Sequence, residues 1–439
     1  MYQKDKDLIS NNLNINDNDE LTFAGISVNK LASEYKTPLY VMDENSIRSR
    51  CKEYVDAIKS ELNDKCKILY ASKACSFKRI YEIINEEGLG ADVVSVGEIY
   101  TCLKAGFPLE NTFFHSNNKT DYDIEFAINA GVGYFVADNE EELFAINEIA
   151  KTKNITQKVL LRLTPGIDPH TFDAVSTGQV DSKFGSSIET GDAERVCKIA
   201  LSLKNIKLCG FHCHVGSQVF DYSVYVDTIT IMLNFIKYVA NTLNFTTEIL
   251  DLGGGLGVRY DYNDPKLKIY DNVKNIAKEV KTKCLELNIP VPYLCLEPGR
   301  SIVADSGITV YTVGTIKKIK GYKNYVSVDG GMTDNPRFAL YNAKYTVLPA
   351  SNLSKPRDMK CSIVGRCCES GDIIQENVSM PSNIKRGDII TVLTTGAYNY
   401  SMASNYNRIN RPPVVMVNNG KTYLAVKRET LDDIIKNDI

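Results

Sequence analysis

The sequence predicts an α/β plus β architecture: a (β/α)8 TIM-type barrel over residues 41–300, then an all-β domain over residues 301–439. Residues 1–40 are expected to join the β domain rather than the barrel. Three observations carry this. Short apolar runs alternate eight times with segments of helical period; the alternation stops near residue 300; and the unusual polar residues cluster where the apolar runs end.

The N-terminal stretch LTFAGISVNKLASEYKTPLYVMDE, from Leu21, starts strand-like and has no barrel partner in the repeat. The eight runs then follow in order: KILYASKA from Lys67, GADVVS from Gly90, TFFHSN from Thr112, YFVADN from Tyr134, VLLRLTP from Val159, LCGFHCHVG from Leu208, EILDLGGG from Glu248 and YLCLEPGR from Tyr293. Amphipathic segments such as FKRIYEIINEEG and NVKNIAKEVKTKCLELN lie between them. Eight such units suit a closed barrel, and the span matches its usual size. An open doubly wound sheet is the alternative that the same alternation could build. After residue 300, GITVYTVGTIKKIK, NYVSVDGG, CSIVGR, DIITVLTTGAY and PVVMVNNGKTYLAVKRE read as strands without long helices. Asn419-Gly420 marks a type I′ hairpin between two of them.

Composition removes several function classes. The chain has 439 residues, 44% hydrophobic and 24% charged, with net charge −3, an ordinary globular profile without the basic stripe of a nucleic-acid binder. No apolar run is long enough to span a membrane, and the polar N-terminus is unlike a secretory signal. The 12 cysteines are therefore expected to be mostly free thiols in a reducing cytoplasm.

The residues with chemistry gather at the C-terminal ends of the eight runs: Lys73, Asp92, His115, Asn117, Arg162, His214, Gly253 to Gly255, and Glu297 to Arg300. That face of a barrel is where active sites form. A lysine at the mouth, stripped of hydration, becomes a Schiff-base nucleophile; alone, Lys73 would read as a surface lysine. The glycine run after the seventh strand and Gly299-Arg300 after the eighth form a phosphate site of the kind barrels build there. A carboxylate such as Glu297 against a pyridine nitrogen keeps that nitrogen protonated and the ring electron-poor, which suits decarboxylation better than racemisation. Pairing with Arg300 alone is the plainer reading of Glu297. His212-Cys213-His214 has metal-ligand spacing too, but the chain has only 4 histidines and the sequence offers no further ligands. No metal is expected.

These motifs bring out a resemblance. YASKA, GADVVSVGE, FHSNNKT, FHCHVGSQ, DLGGGLG, EPGR, DNPRFALY, CESGD and TTGAY resemble the diaminopimelate decarboxylases over nearly the whole chain. The resemblance implies an alanine-racemase-like, fold type III enzyme with pyridoxal 5′-phosphate as cofactor. It implies that Lys73 carries the cofactor, His214 stacks on it and Glu297 meets its ring nitrogen. Asp92, Arg162, Ser217, Gly253, Gly254, Gly255, Pro298, Gly299, Arg300 and Tyr398 would complete the cofactor site. Arg300, Arg337, Tyr341, Glu369 and Tyr398 would grip the substrate, meso-2,6-diaminopimelate, and Cys368 would return the proton. The family also implies a homodimer with active sites shared across the interface. The chain departs from the family pattern at Ser72, often a leucine, and at Phe172, often a second histidine. Cys367 beside Cys368 leaves open which thiol acts. Ornithine or arginine decarboxylation, racemisation and a catalytically silent protein are the rivals.

Overall fold

The computed structural model describes residues 8–167 and 182–439. The chain divides into two compact units: Arg50–Gly257 with Leu267–Ser301, and Met1–Ser49 with Val258–Lys266 and Ile302–Ile439.

The first unit is a closed barrel of eight parallel strands. In chain order they are β1 (Cys66–Ala71), β2 (Gly90–Val93), β3 (Thr112–Phe114), β4 (Tyr134–Ala137), β5 (Gln157–Thr164), β6 (Ile206–His212), β7 (Ile249–Asp251) and β8 (Tyr293–Leu296). Each pairs with the next, and β8 returns to β1 through Leu294 opposite Cys66, so no edge remains. Closure excludes the open-sheet alternative. The barrel interior is filled by Leu69, Phe113, Val136, Leu160, Cys209, Ile249 and Cys295, one inward side chain from each of seven strands. Fully buried strands explain why the sequence shows continuous apolar runs here rather than alternation.

Helices cover the outside for local reasons. Lys78–Glu86 buries Ile80, Tyr81, Ile83 and Ile84, a single helical stripe. Val96–Lys104 starts at Ser95, whose hydroxyl accepts from the Glu98 N–H, and Asp121–Ala130 starts with a Thr120–Asp123 capping box. Lys119 of the FHSNNKT motif is structural: its buried ammonium donates to the Val136 carbonyl at 2.9 Å and meets Glu142 at 2.6 Å.

In the second unit, Leu39–Asp43 lies between Gly307–Lys318, antiparallel, and Val414–Asn418, parallel. Residues 41–49, expected in the barrel, thus fall with the β unit, because this strand's hydrogen bonds go there. Leu13–Ile15, Leu21–Phe23 and Ile26–Ser27 form a small separate sheet whose apolar side chains share a core with Val41, Ile308, Leu348 and Val415. Asn419 and Gly420 both have positive φ, 48° and 73°, as the hairpin they close requires. Among the described residues, no helix is long and apolar enough to cross a membrane, and all 12 cysteines are free.

Candidate active site

The C-terminal ends of the barrel strands converge on Glu297. Pairing continues one residue past β3, β6 and β8. His115 N–H donates to the Val93 carbonyl at 2.8 Å, Cys213 N–H to Asp251 at 2.9 Å and Glu297 N–H to Gly253 at 2.8 Å. The side chains just beyond the strands are thereby aimed by the sheet itself. His115 Nε2 lies 2.7 Å from Glu297 Oε1, and His212 Nε2 lies 3.1 Å from Oε2. Asp92 Oδ1 is 3.8 Å from His115 Nε2. Asp92, His115, His212, Asp251 and Glu297 are all buried.

Charge in this space sorts itself. Burial raises Asp92 and Asp251, and the neighbouring Glu297 pushes Asp251 well above the usual carboxylate range. Burial would raise Glu297 too, but His115 and His212 outweigh it and hold it well below that range. His212 is lowered by burial to about 3, so its ring is neutral near pH 7. Glu297 is therefore the standing anion of the cluster, flanked by imidazoles. Arg162 on β5 supplies a nearby cation, stacked at 4.2 Å over the Phe184 ring.

Lys73 sits in a short 3-10 turn, Ser72–Ala74, that ends β1. The Tyr70 hydroxyl donates to the Cys75 carbonyl at 2.9 Å and fixes that turn. Its charge acts on Asp92 and His214, so it belongs to the same cluster. Lys73 is exposed, however, so the barrel wall does not by itself strip its hydration as the sequence reading expected.

His212 and His214 serve different partners. β6 ends at His212, which turns to Glu297, whereas His214 accepts at Nδ1 from the Gly254 N–H at 3.3 Å. Burial holds His214 well below the usual imidazole range, leaving a neutral ring with its proton on Nε2. Beside it the glycine run closes on backbone. A Cβ at Gly254 would fall 2.1 Å from the Glu297 carbonyl oxygen, and one at Gly255, where φ is +122°, 2.5 Å from the Gly216 carbonyl. Arg300 donates to Ser217 Oγ from Nε at 3.1 Å and Nη2 at 2.9 Å. Pro298 accepts from the Ala71 N–H at 3.1 Å, and Gly299 packs against Ala71, where a Cβ would meet the Ala71 Cβ at 2.9 Å.

These residues fit pyridoxal phosphate. Buried Glu297 Oε1 and Asp92 Oδ1 lack an aligned hydrogen-bond donor, the His115 contact being short but bent. The glycine turn, Ser217 and Arg300 offer donors for a phosphate, and His214 offers a flat neutral face. The same trio, His115, His212 and Glu297, has ligand-type atoms within 4.8 Å of one another, partners for a metal that the sequence did not reveal. Ligands about 2 Å from a tetrahedral zinc stand about 3.3 Å apart. At 2.7 Å, His115 and Glu297 are instead in direct contact.

The sequence matches the family described as pyridoxal-dependent decarboxylase, pyridoxal binding domain, over residues 44–304. It is 43% identical to the diaminopimelate decarboxylase of Bacillus subtilis, covering 97% of this chain and 96% of that protein. The Staphylococcus aureus diaminopimelate decarboxylase is also 43% identical, over 96% and 98%. The chain belongs to the diaminopimelate decarboxylase family. Like that family it is a pyridoxal-dependent carboxy-lyase, with a TIM-type barrel and a separate sheet domain. The diaminopimelate decarboxylase of M. jannaschii has a solved structure with TM-score 0.89 and 32% identity, covering 98% of both chains. That of Helicobacter pylori, solved with L-lysine, has TM-score 0.84 and 31% identity, covering 93% of this chain and 98% of that one.

In the second unit, the remaining expected residues are dispersed in kind. Arg337 is buried, with Nη1 donating to the Tyr345 hydroxyl at 2.7 Å and the Tyr260 hydroxyl at 3.2 Å. The Tyr398 ring lies 5.8 Å from its guanidinium carbon. Tyr398 has φ of 63° and, like Tyr341, is half-buried. Cys368 and Glu369 are exposed, with the Cys368 N–H donating to Asn407 Oδ1 at 2.8 Å. Cys367 is half-buried; burial and then Asp372 push its thiol up to about 12. His170 and Phe172 lie outside the described residues. His115, His212, Asp251, Tyr260 and Tyr345 carry no role that the sequence alone assigns. Only the placement of His115 at a strand end and of His212 two residues before His214 pointed toward the first two.

Proposed function

We propose that the chain decarboxylates meso-2,6-diaminopimelate to L-lysine and CO2, the final step of lysine biosynthesis. We further propose that it works in the cytoplasm as a homodimer with active sites shared across the interface. Bound pyridoxal phosphate supplies an electron sink for the pair left when CO2 departs.

The chain's own residues do the rest. Lys73 would hold the cofactor through Nζ. Glu297, kept anionic, holds a proton on the ring nitrogen. Asp92 and Arg162 flank Glu297, and the neutral His214 ring would face the cofactor. Ser217, the Gly253–Gly255 turn, Pro298, Gly299 and Arg300 would hold the phosphate region, and Tyr398 would complete the cofactor site. Arg300, Arg337, Tyr341, Glu369 and Tyr398 grip the substrate, and Cys368 returns the proton.

The observation that carries the choice of substrate is Arg337. Its guanidinium is buried, yet among the described residues the groups that most influence it are the phenols of Tyr260, Tyr345 and Tyr398, not a carboxylate. A buried cation paired only with neutral oxygens favours an anion, and a planar fork favours a carboxylate. Ornithine and arginine lack a distal carboxylate. Glu297 disfavours racemisation, since an anion there strengthens the electron sink.

The test is CO2 release from meso-diaminopimelate, L,L-diaminopimelate, ornithine and arginine, with and without added cofactor. Cofactor-dependent release from the meso compound, yielding lysine, is expected. Release only from ornithine or arginine would overturn the role of Arg337, and interconversion of enantiomers without CO2 would revive the racemase.

A further inference from the structure

The two imidazoles that meet Glu297 come from the ends of different strands, β3 and β6, and each faces a different oxygen of the same carboxylate, one residue past β8. Their rings pack edge to face at 4.7 Å, so neither turns independently of the other. All three groups are buried, where a carboxylate without donors is costly to keep ionised. His212 engages Oε2, whereas His115 stands 2.7 Å from Oε1 in a bent contact that leaves Oε1 open to a further, aligned N–H.

We propose that His115 and His212 are positioning residues that clamp Glu297, fixing its rotamer and its charge so that it can hold the proton on the cofactor's ring nitrogen. The proposal rests on the reading that Glu297 faces that nitrogen. Neither histidine needs to touch substrate. Their effect passes through Glu297, and the required property is an N–H at the Nε2 position rather than ring volume.

Substitution by Gln, Asn and Leu separates these properties. Glutamine places an amide N–H near the Nε2 position; asparagine is too short, and leucine fills space without a donor. Each variant of His115 and His212 is loaded with 15N-labelled pyridoxal phosphate, and the ring-nitrogen resonance and cofactor dissociation constant are measured. His115→Gln and His212→Gln should keep the parent's protonated-nitrogen resonance and near-parent affinity. The Asn and Leu variants should move the resonance toward the neutral pyridine position and weaken cofactor binding by about tenfold to a hundredfold, as loss of a hydrogen bond to a charged group does. Should a Leu variant fold poorly, the polar Asn variant carries the comparison. Asn and Leu variants indistinguishable from Gln would overturn the clamp. Glu297→Gln is the reference. If it leaves the resonance unmoved, the placement of Glu297 against the ring nitrogen fails; if it alone moves the resonance, the placement stands and the clamp fails.

Discussion

Gly254→Ala puts a methyl group into the most crowded point of the barrel mouth. Its Cβ would lie 2.1 Å from the Glu297 carbonyl oxygen, 2.9 Å from the Glu297 carbonyl carbon and 3.5 Å from the Pro298 nitrogen. All three atoms are backbone, so no side chain can swing aside. Reaching a tolerable contact requires roughly 1 Å of movement between the ends of β7 and β8, an overpacking cost of about 1–3 kcal/mol. The Gly253–Glu297 hydrogen bond at 2.8 Å transmits that movement to the strand end carrying Glu297. For a unit of this size the melting temperature should fall by roughly 2–12 °C. A displacement of about 1 Å near reacting groups can also cost about a hundredfold in activity. Calorimetry and a fluorescence titration with pyridoxal phosphate read the two effects. Gly97→Ala is the control: it lies in a helix with its nearest atom, Ser95 Oγ, 3.6 Å away, and should be neutral or stabilising by up to about 1 kcal/mol. A Gly254→Ala protein that melts and binds cofactor like the parent would refute the reasoning.

Other perturbations test separate parts of the account. Cys368→Ala should keep the cofactor's absorbance but slow turnover by about 10²–10⁴-fold, whereas Cys367→Ala should change turnover little, because burial and Asp372 push the Cys367 thiol to about 12. The reverse ranking in steady-state assays would exchange the two roles. Arg337→Lys loses the fork and should raise KM for the meso substrate by about tenfold or more without altering cofactor affinity; an unchanged KM would remove Arg337 from substrate recognition. Burial raises Asp334 to about 7, with Asp329 and Asp372 adding and Tyr311 and Gly331 opposing. The folded protein thus keeps a proton there that the unfolded chain releases near pH 4. This group's contribution to stability falls as pH rises from about 4 to about 7. Asp334→Asn cannot ionise and should flatten that fall by up to a few kcal/mol in denaturant titrations at pH 5 and pH 8. An unchanged slope would contradict the assignment.

The barrel was legible because its strands are buried on both faces and so read as unbroken apolar runs bounded by polar ends. The strand Ile373–Met380 was not legible: IIQENVSM is half polar with three polar residues in a row, and it is held by pairing with Met359–Val364 rather than by its own pattern. Lys73, Glu297 and the glycine turn stood out because their residue types are odd at strand ends. The clamp on Glu297 did not, since His212 and Glu297 are 85 residues apart and meet only through barrel closure. Tyr260 and Tyr345 escaped for a similar reason. Tyrosines are common in this chain, and only the fold brings these two to Arg337.

The measurement that bears most directly on the barrel mouth as a pyridoxal phosphate site is borohydride reduction of the loaded protein, followed by peptide mapping. A stable cofactor adduct on the peptide containing Lys73, and its loss in Lys73→Ala, is the predicted result. An adduct on a different lysine, or none at all, would contradict it.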